Sequence, residues 1–400
     1  MALTSTSFMA APGGFGSTLS SKLDKIDCSQ VLSAVLKADK QLLGHIKMGP
    51  TATNIEVNWI EDELTAAYVL ASGSANNRIT ITGGNTLASL QRMMRANAIL
   101  QPSNGECVMR LSQAVAASTA ITVAVYGSTT WASWTSTRVY VLAQPFADMD
   151  DASSDISSAR AKRKNFMQVF ERAVQIEKTR QNMDMEAVSS ELQLQIKYRT
   201  LEVKRELDMS VIRGYAKASG ATGYTGDTEL RTMAGIIQLI RDYDLDTTNE
   251  DSTVINKSSA ALTIAALNSL AYKIYDAGGL DETADPILLV GPEQARVIAS
   301  FESYLRRVEQ GERTVGYYRN IFLSDMGTEM PIVLDRWMPR DKVILLDRSR
   351  IFIRPMKGDD WGLEKMAKSG RNDKWQLSGQ FTLDMRNANA CHGMLYNLAG

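Results

Sequence analysis

The chain has 400 residues, 44% of them hydrophobic and 22% charged, with 44 Lys and Arg against 45 Asp and Glu and a formal net charge of -1. This is globular composition for two or three domains, without the basic excess by which DNA-gripping proteins neutralise phosphates. Three widely spaced cysteines, Cys28, Cys107 and Cys391, argue against a disulfide framework and fit a reducing compartment.

Met1 to Ser7 lacks the charged n-region and apolar run of a secretory signal. No stretch approaches the roughly 18 uninterrupted apolar residues of a membrane helix, so the chain is expected to be made in the cytoplasm. Residues 1–21, rich in Ser, Thr, Ala and Gly around Pro12-Gly13-Gly14, have the pattern of a flexible arm. Val31, Leu32, Val35, Leu36, Leu42 and Leu43 fall near helical spacing and predict a short helix over 29–44.

Residues 54–64 look extended. From 77 to 142 the chain alternates repeatedly, at 78–82, 121–125 and 138–142, with a turn signal at Asn104-Gly105. That predicts a small all-β insertion. Residues 148–164 pass from Asp148, Asp150 and Asp151 to Lys162, Arg163 and Lys164 and predict a solvated connector. Residues 166–176 return to an extended pattern. The insertion therefore sits at the tip of a two-stranded arm built from 54–64 and 165–180.

The clearest helix runs from Ser189 to Lys217. Leu192, Ile196, Val203, Leu207 and Val211 form its apolar stripe, and Glu202 with Arg205 and Lys204 with Asp208 are spaced for ion pairs. Further helices are expected at 232–242, 262–277 and from Pro292 to Tyr304. Short strands are expected at 286–290, 331–334, 342–346 and 350–354. Lys374 to Arg386 alternates strictly, with Trp375, Leu377, Gly379, Phe381, Leu383 and Met385 on one face of a long strand.

Catalytic templates fail. There is no Gly-x-x-x-x-Gly-Lys-Ser/Thr phosphate loop, no strand-linked Gly-x-Gly-x-x-Gly and no Gly-x-Ser-x-Gly elbow. The two histidines, His45 and His392, are too few for a histidine-based metal site or triad and are expected to be structural. Asp242, Asp244 and Asp246 mimic a calcium loop, but Thr247 and Thr253 stand where it needs Gly and Glu. No catalytic, cofactor or metal residue is assigned. Trp131 and Trp134 are expected to serve core packing more than binding.

Several segments carry a resemblance. Asn54 to Leu64, with Trp59, Asp62 and Leu64, resembles the start of the E-loop of tailed-bacteriophage major capsid proteins. Asn165 to Phe170 resembles that family's return strand and Glu191 to Gly214 its spine helix. Ala277-Gly-Gly279 with Leu288 to Pro292, and Leu377 to Leu398, resemble its later junction and closing strands. The similarity covers roughly 50–400 apart from the insertion.

The resemblance implies an α+β capsid fold: an N-terminal arm over 1–50, an E-loop arm over 51–72 and 146–180, and an inserted β domain over 73–145. A peripheral domain over 181–222 and 331–400 and an axial domain over 223–330 complete it. It implies a non-enzymatic shell subunit of a virion head, assembling as hexamers and pentamers around DNA and meeting copies of itself, a portal and scaffolding or decoration proteins. Candidate interface residues are Trp59, Asp62, Leu64, Lys162, Arg163, Lys164, Phe166, Phe170, Arg199, Lys204 and Arg205. An encapsulin-like compartment, which shares this fold, and an enzyme with an unrecognised carboxylate pair stay open as alternatives.

Overall fold

The structure is a computed structural model. It describes residues 42–399 apart from 63–66, 75–77, 82–86, 106, 114, 116–120, 127–132, 147–159, 182–189, 217–229, 245–251, 302–304, 310–317 and 368–369. The expected flexible arm at 1–21, most of the helix at 29–44, the 148–151 acidic cluster, Leu64 and Trp131 lie outside the described residues. Of the 29–44 helix only Leu42–Gly44 is described, as a single 3-10 turn.

Strands β1 (Lys47–Met48) and β2 (Glu56–Glu61) lead into β3 (Tyr68–Ser74), β4 (Arg78–Ile81), helix α1 (Leu87–Met93), β5 (Ile99–Pro102), β6 (Val108–Leu111), β7 (Ile121–Tyr126) and β8 (Trp134–Ala143). Strands β3 to β8 close a six-stranded barrel in the order β3-β4-β7-β6-β5-β8. Its core includes Val69, Leu100, Met109, Leu111 and Val139. The predicted Asn104-Gly105 turn joins β5 to β6, with Gly105 at φ +71°. Trp134 packs in the barrel core and lies across β3, where a Cβ on Gly73 would stand 2.3 Å from the indole.

The insertion departs from expectation at its near edge. It begins at Tyr68 rather than near 73–77, because β3 is needed to close the barrel between β4 and β8. Helix α1, with buried Leu90 and Met93, was not legible in the alternating pattern.

Strands β9 (Ala161–Phe166) and β10 (Gln168–Glu177) and helix α2 (Lys178–Gln181) follow the barrel. The basic run at 162–164 is part of β9 and not a connector: it pairs antiparallel with β2, Trp59 opposite Arg163 and Ile60 opposite Lys162. Nor does 168–177 form the second strand of the arm. Strand β10 pairs residue for residue with 372–381 instead. The reason is its face: Phe170, Val174 and Ile176 are buried and need a core that a free ribbon does not offer.

Helix α3 (Glu191–Arg213) is the expected spine, 23 residues and about 35 Å long. Ser190 caps its N-terminus by accepting the Gln193 N–H. Gly214 ends it, where a Cβ would meet the Ser210 carbonyl oxygen at 2.3 Å. Val203, Leu207, Val211 and Ile212 are buried. Its more polar face carries ion pairs of its own. Arg199 pairs with Glu202, and Arg172 on β10 pairs with Glu206. Asp208 is fully buried and accepts the Leu43 N–H at 3.3 Å.

Helix α4 (Ile236–Tyr243), β11 (Val254–Asn256), α5 (Ile264–Asp276), β12 (Pro286–Val290) and α6 (Pro292–Ala299) follow. Helix α6 stops well short of Tyr304. Then come β13 (Leu305–Glu309), β14 (Tyr318–Leu323), β15 (Glu329–Leu334), β16 (Val343–Asp347), β17 (Ile351–Pro355), β18 (Gly362–Lys365), β19 (Asn372–Met385) and β20 (Gly393–Tyr396). One sheet runs β11-β20-β16-β12-β15-β14-β13, and a second runs β1-β17-β19-β10 with β18 also on β19. The first sheet corrects the expected boundary at 330. Strand β12 is flanked by β15 and β16, so 286–290 shares one sheet with 329–334, 343–347 and 393–396.

Strand β19 is the predicted long strand. Its alternation is clear at first, but from Phe381 to Met385 every residue is buried. Thr382 and Asp384, on the polar face, are covered because the base of the β2–β9 ribbon lies there: the Thr382 hydroxyl donates to the Phe166 carbonyl at 2.8 Å.

Candidate subunit-interface site: the arm and its base

The two faces of the β2–β9 ribbon have different chemistry. Period-two alternation turns Val57, Trp59 and Glu61 inward, and all three are buried. The Glu61 carboxylate accepts from Trp59 Nε1 at 2.9 Å, from Arg163 Nε at 3.1 Å and from the backbone N–H of Asn387 at 2.7 Å. The Arg163 guanidinium also lies 4.4 Å from the centre of the Tyr243 ring on α4. Burial pushes the Tyr243 phenol up from its ordinary value, against the bond to Lys164.

Asn165 completes the anchor. Its side chain donates to the carbonyls of Ala234 (3.0 Å) and Leu383 (2.8 Å) and accepts from the N–H groups of Ala234 (2.9 Å) and Phe166 (2.8 Å). One buried amide thereby ties β9, β19 and the start of α4, with donors and acceptor both used.

The outer face carries Glu56, Asn58 and Ile60 opposite Phe166, Lys164 and Lys162. Ile60 is 69% exposed. Lys162 is exposed, and Lys164 reaches Glu56 at 3.7 Å. Asp62 pairs with Arg160 at 3.1 Å in open solvent. Between β10 and α3 runs a groove of about 470 Å³ lined by residues including Val169, Glu171, Glu206 and Met209. Val169 and Met209 are exposed.

The structure divides the predicted interface residues. Trp59, Arg163, Phe166 and Phe170 pack inside their own chain, Phe170 against Phe381 with ring centres 6.4 Å apart. They position the arm and are not open to a partner. Arg199 is paired with Glu202, and Arg205 lies 6.0 Å from the Trp337 ring centre. Lys204 is half-buried on α3. Asp62 and Lys162 stay at the surface. Ile60, Glu61, Asn165 and Asn387 were missed as a group. The available signal was Glu61 itself, a charge on the same strand face as Val57 and Trp59.

A second polar cluster lies at the β16–β20 end. His392 is fully buried, its Nδ1 accepting the Asp347 N–H at 3.2 Å and its Nε2 3.3 Å from the Arg386 carbonyl oxygen. Burial pushes its pKa down to about 4, against the pull of Asp347. Burial also opposes ionisation of Asp347, but bonds from the Asp285 N–H and from Ser349 hold its carboxyl below the usual range. Burial pushes the neighbouring Cys391 thiol up to about 11. Every group here is used in packing. Among the described residues no cluster of three or more His, Cys, Asp or Glu side chains is placed to hold a metal ion. Asp242 and Asp244 of the calcium-like run are occupied by Gln238 and Ser252.

The major capsid protein of Escherichia phage Phieco32 is 22% identical over 304 residues, covering 64% of this chain and 84% of the relative. The capsid of a native GTA particle and that of cyanophage A-1(L) each superpose with a TM-score of 0.51 at 10% identity. Each covers 96% of this chain and 100% of the other, which shows a shared α+β fold. The family model described as the SU10 major capsid protein matches residues 11–399. The chain belongs to the SU10 major capsid protein family: it is the structural subunit of an icosahedral phage head, not an enzyme.

Proposed function

We propose that this subunit builds its shell by surface complementarity, with the β2–β9 arm as the principal reach to a neighbour. The observation that carries this reading is the two-faced ribbon. Its inner face is locked by Glu61 and Asn165, while its outer face leaves Ile60 and Lys162 in solvent. An exposed apolar side chain beside an exposed charge on a firmly anchored ribbon suits an interface between copies. The receiving surface is the neighbour's β10–α3 groove, where Val169 and Met209 offer apolar contact and Glu171 offers negative charge to Lys162, Glu206 being paired with Arg172.

In this reading the segments around α5 and the β13–β14 hairpin meet their equivalents about local five- and six-fold axes. Hexamers and pentamers close the head around DNA without sequence-specific contacts. A portal and scaffolding or decoration proteins complete the set of partners. The test is sedimentation of Ile60→Asp/Lys162→Glu beside the parent chain. Loss of the assembled fraction with unchanged thermal unfolding supports the arm's role, and equal assembly refutes it.

A further inference from the structure

The barrel does not merely hang from the ribbon. Arg138 on β8 meets Asp276 at 2.6 Å, and the Tyr68 hydroxyl on β3 donates to the same carboxylate oxygen at 3.4 Å. The Arg138 guanidinium also lies 4.6 Å from the centre of the Tyr68 ring. Strands β3 and β8 are paired, with Leu70 opposite Arg138 and Tyr68 opposite Tyr140, so the two donors come from one edge of the barrel. Both members of the ion pair are largely shielded, with side-chain exposures of 18% and 23%.

Asp276 is the last residue of α5. A carboxylate there faces the negative end of the helix dipole and costs the helix stability. The basic residue of that last turn, Lys273, is turned away to the Ser252 carbonyl at 3.2 Å. A locally unfavourable residue whose charge, among the described residues, is met from another unit marks a site that serves that unit.

We infer that Asp276 is the seat of the inserted barrel. It clasps the barrel to α5, so that arm, barrel and the α5 sheet move as one body. The ribbon is then held by Asn165 on Leu383 at its base and by Glu61 on Asn387 at its barrel end, and the barrel beyond it by Asp276. A ribbon fixed at both ends meets a neighbour at a set angle and loses less conformational entropy on docking. The clasp is a property of the single chain and stands or falls separately from the arm's contact with a neighbour.

The test is hydroxyl-radical footprinting of the unassembled full chain, comparing the parent with Asp276→Asn and with the swapped pair Arg138→Glu/Asp276→Lys. Asp276→Asn is expected to raise Tyr68 oxidation roughly fivefold, while Trp134, inside the barrel, keeps its protection. The swapped pair is expected to bring Tyr68 back to within about twofold of the parent, since it restores the charge pair. Unchanged Tyr68 oxidation in Asp276→Asn would overturn the inference. So would a matching rise at Trp134, which would mean the barrel itself had opened, or failure of the swapped pair to restore protection.

Discussion

The Glu61 carboxylate accepts the backbone N–H of Asn387 at 2.7 Å, joining the arm to the closing turn of the chain across 326 residues of sequence. Asn387 stands at φ +52°, and its side-chain oxygen accepts from Arg350 at 3.2 Å. Replacing Glu61 with Ala leaves Arg163, Trp59 Nε1 and this N–H without their acceptor. A loss of about 3 kcal/mol is expected, and about 1 to 2 kcal/mol for Glu61→Gln, which keeps one acceptor oxygen. Urea unfolding of the unassembled chain reads both, and equal stability of parent and Glu61→Ala would remove the anchor from the account.

Asn165→Leu keeps the volume and removes four hydrogen bonds in a buried junction. The stranded backbone groups of Ala234, Leu383 and Phe166 are expected to cost about 3 kcal/mol or more. Lys162→Ala, on the exposed face of the same strand, is expected to stay within about 0.5 kcal/mol. Comparing the two separates the inner face of the ribbon from the outer one.

These two residues also show how far the sequence carries. The long strand at 372–385, the spine helix and the barrel strands β4, β7 and β8 follow from periodicity, which needs no knowledge of neighbours. Strand β10 was placed in the wrong partnership, because its alternation fits a free ribbon and a sheet equally well. What decides between them is Phe381 and Gly379 on β19, two hundred residues away. Asn165 and Asn387 were not legible as anchors, since their value lies in backbone groups that only the tertiary fold brings within reach.

Acid should weaken the subunit through His392. Its pKa falls from 6.5 to about 4 on folding, so the unfolded chain takes up the proton first as pH drops. The stability it contributes is whole above pH 6.5 and is lost as pH falls towards 4, by roughly 3 kcal/mol in all. The lowered Asp347 pKa adds a further loss only below its ordinary value of 3.8. Unfolding measured from pH 7 to pH 4 is expected to show this slope, and His392→Gln to flatten it.

Excision of the insertion should respect the barrel's closure. Replacing 68–143 with a short Gly/Ser linker removes a complete unit and should leave the unfolding of the remainder intact. Cutting at 77–142 leaves β3 with its edges unpaired, and that product is expected to aggregate. Solubility and circular dichroism of the two products check the boundary. Equal solubility of the two products would contradict the boundary at Tyr68.

The most direct test of the central claim is negative-stain electron microscopy with solution mass, on the parent chain and on Ile60→Asp/Lys162→Glu side by side. The account predicts rings of five and six or closed polyhedral shells for the parent, and a folded 44.0 kDa monomer for the variant. Shells of equal number and form from both proteins would contradict the arm's outer face as the contact on which assembly depends.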